Sequence, residues 1–229
     1  MEKDFWVKFW NSNKILNNSD PQLQIGRSIN KKPIDKDKWK YTLQYIENLI
    51  ELNKNDRLLD LCAGNGLISV PFSEKCHHVT AVDISEKFID RIRILECHNI
   101  TTFVNDARKI TFDANSFNKV IIYFALQHFD EKDTISLFEK ILNWLENDGL
   151  LFIGDIPDAN KIWTYFNNKE RESVYFDSIK NNQPIIGYWF TKEFILKLGN
   201  YIGFKECKVL DQPDCLINSH YRFDIILKK

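Results

Sequence analysis

Apolar and polar positions along this chain fall into short buried runs, separated by turn residues and by stripes at helical spacing. The sharpest run is LLDLCAGNG, from Leu58 to Gly66. Leu58, Leu59 and Leu61 read as a short apolar strand carrying Asp60 at its end, and Gly64 and Gly66 flank Asn65 where the backbone must turn tightly. LISVPFSEK resumes as a helix. About twenty residues past the turn, the usual interval for such a unit, AVDIS puts Asp83 at the end of a second apolar strand, placed to accept hydrogen bonds from ribose hydroxyls. Strand, glycine turn, helix, strand and acid make half of a nucleotide-binding sheet.

The flanking pattern predicts the rest of an α/β domain. Trp39, Leu43, Ile46, Leu49 and Ile50 make an amphipathic helix leading to the first strand. Residues before Trp39 combine an aromatic cluster (Phe5, Trp6, Phe9, Trp10), an Asn-rich stretch and the basic Lys31-Lys32, with no strand among them. Downstream, Ile135, Phe138, Leu142 and Leu145 predict a helix over 133–146, closed by Asp148-Gly149 before the buried strand LLFIGDIP. From Asp158 to Tyr188 a charged, aromatic segment interrupts the pattern with partly helical character; following a strand's C-terminal end, it falls at the ligand edge of a doubly wound sheet. Thr191 is a candidate N-cap for a helix bearing Phe194, Ile195, Leu198 and Tyr201, which Gly203 ends. KECKVLD and YRFDIILKK are the final strands. The expected organisation is one domain over 1–229: an N-terminal cap (1–38), a cofactor half (40–157), an inserted substrate cap (158–190) and a C-terminal helix with strands (191–229).

The charge of Asp60 separates two cofactor classes. A dinucleotide sets its pyrophosphate at the helix N-terminus, where a carboxylate would repel it, and Ser69 stands where the third glycine of that motif is wanted. A ligand bearing an ammonium and a sulfonium would instead be attracted. At these residues the chain resembles the class I S-adenosylmethionine-dependent methyltransferases, whose first motif is an acid followed by alternating glycines. Cys62 replaces the first glycine, a departure that a negative φ would tolerate. The resemblance covers 40–157: ITTFVNDA ends in Asn105-Asp106, where the family contacts adenine, and NKVIIYF followed by ALQHF looks like its fourth strand and motif, with His128 at the start of the next helix. It implies a doubly wound, Rossmann-like seven-stranded sheet, mostly parallel with an antiparallel C-terminal strand and helices on both faces. It also implies S-adenosylmethionine as cofactor, leaving S-adenosylhomocysteine as product. The implied cofactor residues are Asp60, Cys62, Ala63, Gly64, Asn65, Gly66, Asp83, Ile84, Asn105, Asp106, Ala107 and Tyr123.

Methyl transfer needs an acceptor lone pair held in line with the sulfonium carbon. A hydroxyl benefits from a base, for which His128 is the candidate; an anionic oxygen needs only a cationic clamp, which Arg27, Lys32 and Arg222 could supply. Gln127, Tyr188 and His220 complete the expected acceptor residues. The plain alternatives are a structural histidine, a solvated Lys31-Lys32 pair and N-terminal aromatics that pack as a lid. QIGRSINKKPID and HYRFDIILKK also resemble segments of small bacterial methyltransferases associated with surface-polysaccharide precursors, which implies a sugar or phosphorylated acceptor. No Asn-Pro-Pro-Tyr follows the fourth strand, where Tyr123-Phe124-Ala125-Leu126 stands, so methylation of DNA bases is disfavoured.

Composition narrows the partners. With 229 residues, 44% of them hydrophobic, and a net charge of −1, the chain fits one globular domain without a basic footprint for nucleic acid. Five cysteines without C-x-x-C spacing suggest neither a disulfide framework nor a metal site, so reduced thiols in a cytoplasm are expected. No stretch is apolar enough to span a bilayer. The expected partner is a small-molecule acceptor, bound by a monomer or homodimer. A noncatalytic S-adenosylmethionine-binding protein is the rival reading, and an NAD-dependent oxidoreductase the other.

Overall fold

The computed structural model describes residues 5–12, 19–29, 31–183 and 186–229. The Asn-rich part of the N-terminal cap at 13–18, and positions 184–185 of the inserted cap, lie outside the described residues. The N-terminal cap comprises helices α1 (Phe5–Trp10) and α2 (Pro21–Gln24), then a hairpin of β1 (Ser28–Ile29) and β2 (Lys32–Pro33). This hairpin corrects the expectation of no strand before Trp39; it is separate from the main sheet. Helix α3 (Lys36–Ile50) follows, capped by the Asp35 carboxylate.

Then come β3 (Arg57–Leu61), α4 (Ser69–Ser73), β4 (His78–Asp83), α5 (Glu86–Ile94), β5 (Ile100–Val104), β6 (Phe117–Tyr123), α6 (Glu131–Trp144) and β7 (Leu145–Pro157). The inserted segment folds as α7 (Ile162–Tyr165) and α8 (Lys169–Lys180), before α9 (Lys192–Ile202), β8 (Glu206–Asp211) and β9 (Arg222–Lys228). Thr191 caps α9 through a bond from Phe194 N–H, as its position predicted.

The seven-stranded sheet runs β5-β4-β3-β6-β7-β9-β8. Neighbours from β5 to β7 pair in parallel, and β9 is antiparallel to both β7 and β8. Both faces are covered, which is why the strands read as near-continuous apolar runs. Leu58, Val79, Ile121 and Phe152 pack with Ile46 and Ile50 of α3 and Phe72 of α4. Their neighbours Leu59, Val120, Ile122 and Leu151 face the other way, onto Leu137, Phe138 and Ile141 of α6 and Ile195 of α9. Strand order reverses between β3 and β6, and the crevice at such a switch point is where doubly wound sheets bind ligands.

Helix α6 departs from its predicted frame. Asp130 caps it through Asp133 N–H, its buried stripe is Leu137, Phe138, Ile141 and Trp144, and Ile135 and Leu142 sit partly buried beside that stripe. Leu145 has already entered β7 opposite Phe117, and Asp148-Gly149 falls within an irregularity of that strand rather than closing the helix.

Candidate active site

A cavity of about 990 Å³, counting the space at its mouth, opens over the C-terminal ends of β3, β4 and β6. Its floor is the turn after β3. Three residues there have positive φ: Cys62 at 64°, Gly64 at 56° and Gly66 at 85°. Cys62 therefore does not take the negative φ expected of it; it occupies a left-handed position, where a side chain costs roughly 1–2 kcal/mol. A Cβ on Gly64 would come within 3.1 Å of Ile25 Cγ2, and one on Gly66 within 2.8 Å of Ile92 Cγ1. Asn65 turns away from the cavity and donates to Pro21 O and Gln24 Oε1, both at 2.8 Å. Asn65 and Gly66 thus shape the turn and tie α2 across it without lining the cavity.

Asp60, Cys62, Ala63, Gly64, Asp83, Ile84, Asn105, Asp106, Ala107 and Tyr123 do line it. Asp60 accepts from Ser69 Oγ at 2.5 Å, so the serine in the third-glycine position supports the acid. Burial pushes the Asp60 carboxyl up to about 7; the Ser69 bond opposes the shift and nearby Asp83 adds to it. Asp83 accepts from the N–H groups of Gly64 and Ser85, both at 2.8 Å, yet burial still raises it to about 6. Burial alone would raise Asp106 too, but the Arg108 guanidinium, with Nη2 at 2.7 Å, holds it below the usual range.

His128 ends a 3₁₀ turn, Leu126–His128, rather than starting a helix. Its ring lies 4.0 Å from that of Trp6 and 5.6 Å from that of Trp10, centroid to centroid. Among the described residues Nδ1 has no hydrogen-bond partner. Burial, then the charge of Arg222, push its pKa down to about 3, so the imidazole is neutral.

The expected acceptor residues separate. Of the three cations, only Arg27 lines the cavity. Lys32 lies exposed on the β1–β2 hairpin, and His220 packs edge-on against Tyr221 away from the cavity. Tyr188 is held outside by its N–H bond to Gln127 O. Arg222 and Gln127 stand behind the wall, joined Nη1 to Oε1 at 2.9 Å. Arg222 also donates to the backbone oxygen of Asp155, whose carboxylate pairs with Arg27. Both guanidiniums stack on a shared neighbour, the Phe124 ring, at 4.5 and 4.7 Å from its centroid. A cationic clamp of three residues is therefore not assembled; two of them serve a buried network because Asp155 and the π faces draw their charges inward.

Trp6, Trp10, Trp39, Phe88, Phe124 and Phe129 line the cavity without having been singled out as site residues. Only the N-terminal aromatic cluster gave a signal. The described residues of the inserted segment contribute nothing to this lining; its Tyr165, Phe166 and Tyr175 pack with Trp189 and Tyr221 instead. The described residues hold no cluster of metal-ligating side chains, and no helix among them is long and apolar enough to cross a membrane.

These residues fit S-adenosylmethionine. Buried carboxylates face the cavity where an ammonium and a sulfonium need them, and the same carboxylates would repel a pyrophosphate. Residues 58–149 match the family model described as a methyltransferase domain. The chain is 24% identical over 148 residues to the protein-L-isoaspartate O-methyltransferase of a Bradyrhizobium species, covering 59% of this chain and 65% of that one. It thus spans somewhat less than two thirds of that relative's length. Haemonchus contortus phosphoethanolamine N-methyltransferase 1, solved with phosphoethanolamine and S-adenosylhomocysteine, superposes with a TM-score of 0.72 at 16% identity, covering 99% of this chain and 48% of its own. The magnesium protoporphyrin IX methyltransferase of Synechocystis, solved with S-adenosylhomocysteine, covers 100% of both chains at a TM-score of 0.66 and 13% identity. The fold is shared along the whole length, and residues 58–149, within the cofactor half, carry the sequence match to a methyltransferase domain.

Proposed function

We propose that this protein transfers the methyl group of S-adenosylmethionine to a hydroxyl oxygen of a small molecule, with His128 as the group that receives the hydroxyl proton. The observation carrying this reading is the unpartnered, neutral Nδ1 of His128 in the cavity wall. In the neutral tautomer that carries its proton on Nε2, Nδ1 accepts a hydrogen bond, so it orients an O–H and leaves an oxygen lone pair free for attack. The cofactor supplies an electrophilic methyl carbon. As the new bond to oxygen forms, the hydroxyl proton becomes strongly acidic, and even a base weakened by burial can take it. Trp6 and Trp10 lie against His128 and keep water from competing for that nitrogen.

Both segments resembling polysaccharide-linked methyltransferases have structural work in this fold. Gln24 and Arg27 anchor the first segment to Asn65 and Asp155, and the second forms β9. They therefore lend the sugar or phosphorylated acceptor no separate support, and the reading rests on the hydroxyl alone. S-adenosylhomocysteine release over a panel of hydroxyl, carboxyl and amine compounds tests it. Hydroxyl compounds should turn over, and His128→Ala should lower kcat by about 10²–10⁴ with cofactor affinity unchanged. A methylated amine as product, or a mutant at full rate, would defeat it. Cofactor binding without turnover on any compound would favour the noncatalytic rival.

A further inference from the structure

The described residues of the inserted segment line no part of the cavity, yet the segment touches the turn that carries His128. It leaves β7 at Asp158 and returns at Phe190, and its two limbs are stitched at that base: Phe190 N–H donates to Pro157 O at 3.0 Å, and Ala159 N–H to Phe190 O at 2.9 Å. On the returning limb, Gly187 and Tyr188 meet Gln127. Tyr188 N–H donates to Gln127 O at 2.8 Å. Gly187 comes so close that a Cβ there would lie 2.1 Å from that same oxygen and 2.9 Å from its carbon. Its φ of 124° also belongs to the region that favours glycine, so space and backbone both exclude a side chain.

Gln127 directly precedes His128, is buried, and is engaged on three sides. Its Nε2 donates to Phe124 O at 3.0 Å, its Oε1 accepts from Arg222, and its backbone oxygen accepts from Tyr188. The turn itself is short, closed by His128 N–H to Ala125 O at 2.9 Å and Phe129 N–H to Leu126 O at 3.1 Å. Neither of those bonds uses the Gln127 carbonyl. The peptide joining Gln127 to His128 is thus held at its N–H by the turn and at its carbonyl by the inserted segment, and that peptide sets where the His128 ring leaves the backbone. We propose that Gly187-Tyr188 is a clasp that positions His128 for proton transfer, so that the inserted segment acts on the reaction without touching a ligand. This rests on the reading of His128 as the group that receives the hydroxyl proton; Gly187 and Tyr188 are positioning residues.

Two variants of the full chain test this. Gly187→Ala drives a methyl against the Gln127 carbonyl. Replacing Tyr188 by its α-hydroxy acid turns the donor N–H into an ester oxygen without added bulk, and serves should the first variant not fold. The ring protons of His128, identified by their loss from the NMR spectrum of His128→Ala, lie against Trp6 and Trp10 and report the ring's position with no acceptor present. They should move in each variant, while titration calorimetry finds the affinity for S-adenosylhomocysteine unchanged. With a hydroxyl compound that the wild type methylates, kcat should fall at least about tenfold, since a misplacement of about 1 Å can cost roughly 10²-fold. In a His128→Ala background the same changes should cost nothing further, because the side chain they position is gone. A ring signal that stays in place, or an equal loss with and without His128, would make Gly187 and Tyr188 structural residues and overturn the clasp. His128→Ala at full rate would instead defeat the reading of His128 itself, and the clasp with it.

Discussion

Asp60 shows how one side chain sets function against stability. In the ligand-free fold its pKa is raised to about 7, chiefly by burial, well above the roughly 3.9 of an unfolded chain. Between those values the native state holds a proton that the unfolded state releases, so the stabilising contribution is present at low pH and is lost as pH rises through 7. Above that point the fold carries a costly buried anion. A cationic ligand uses that same anion, so affinity for S-adenosylmethionine should fall as pH drops below about 7, approaching tenfold per unit. Asp60→Asn should raise the melting temperature at pH 8, change it little at pH 5, weaken S-adenosylmethionine, and leave only the shallower pH dependence that Asp83 contributes near 6. Melting curves and calorimetry across pH 5–8 check all four; a steep dependence surviving in the variant would move the titration to another group.

Among the elements, α1 contributes little to the core and much to the cavity. None of its residues is buried, yet Trp6 and Trp10 line the cavity and flank His128. Trp6→Ala and Trp10→Ala should therefore leave the ligand-free melting temperature nearly unchanged and weaken S-adenosylhomocysteine severalfold, measured by circular dichroism and calorimetry. A drop in melting temperature matching the lost affinity would make α1 part of the core instead. The aromatic cluster was legible as lying apart from the core because four rings within six positions cannot all be buried by so short a helix. Strands β3, β4 and β6 were legible for the opposite reason: both faces are covered, so their apolar runs are unbroken. Other features leave no mark in composition. Nothing in the type of residue 62 reveals that its φ is positive. Arg27 and Asp155 pair across 128 positions, and Arg222 reaches Gln127 across 95, so a reading by local pattern cannot separate a buried network from an acceptor clamp. The inserted segment sits beyond the strand where a lid is expected, but its Tyr165, Phe166 and Trp189 pack with one another and with Tyr221.

At the scale of the whole molecule, β9 joins the two halves. It lies between β7 and β8, contributes Phe223, Ile225 and Leu227 to the core, and supplies Arg222 and Asp224 to the network behind the cavity. Phe223→Ala should cost about 3–5 kcal/mol in urea unfolding, as for other large core truncations. Amide exchange should then rise first in β8, whose ladder runs only to β9, and later in β3 and β6. Uniform acceleration over the sheet would instead mean that β9 unfolds only with everything else.

The position of β9 also has a consequence for how the chain is made. Synthesis completes β7, a strand of 13 residues, while the partner for its outer edge is still about 65 residues away in the sequence. Until β9 emerges, that apolar edge presents open N–H and C=O groups to any other strand nearby, a recognised aggregation hazard. Strand β8 cannot cover it, since β8 joins the sheet only through β9. The nascent chain is therefore most exposed to misassembly after its cofactor half has folded, and the final strand both seals the sheet and secures the Arg27 wall.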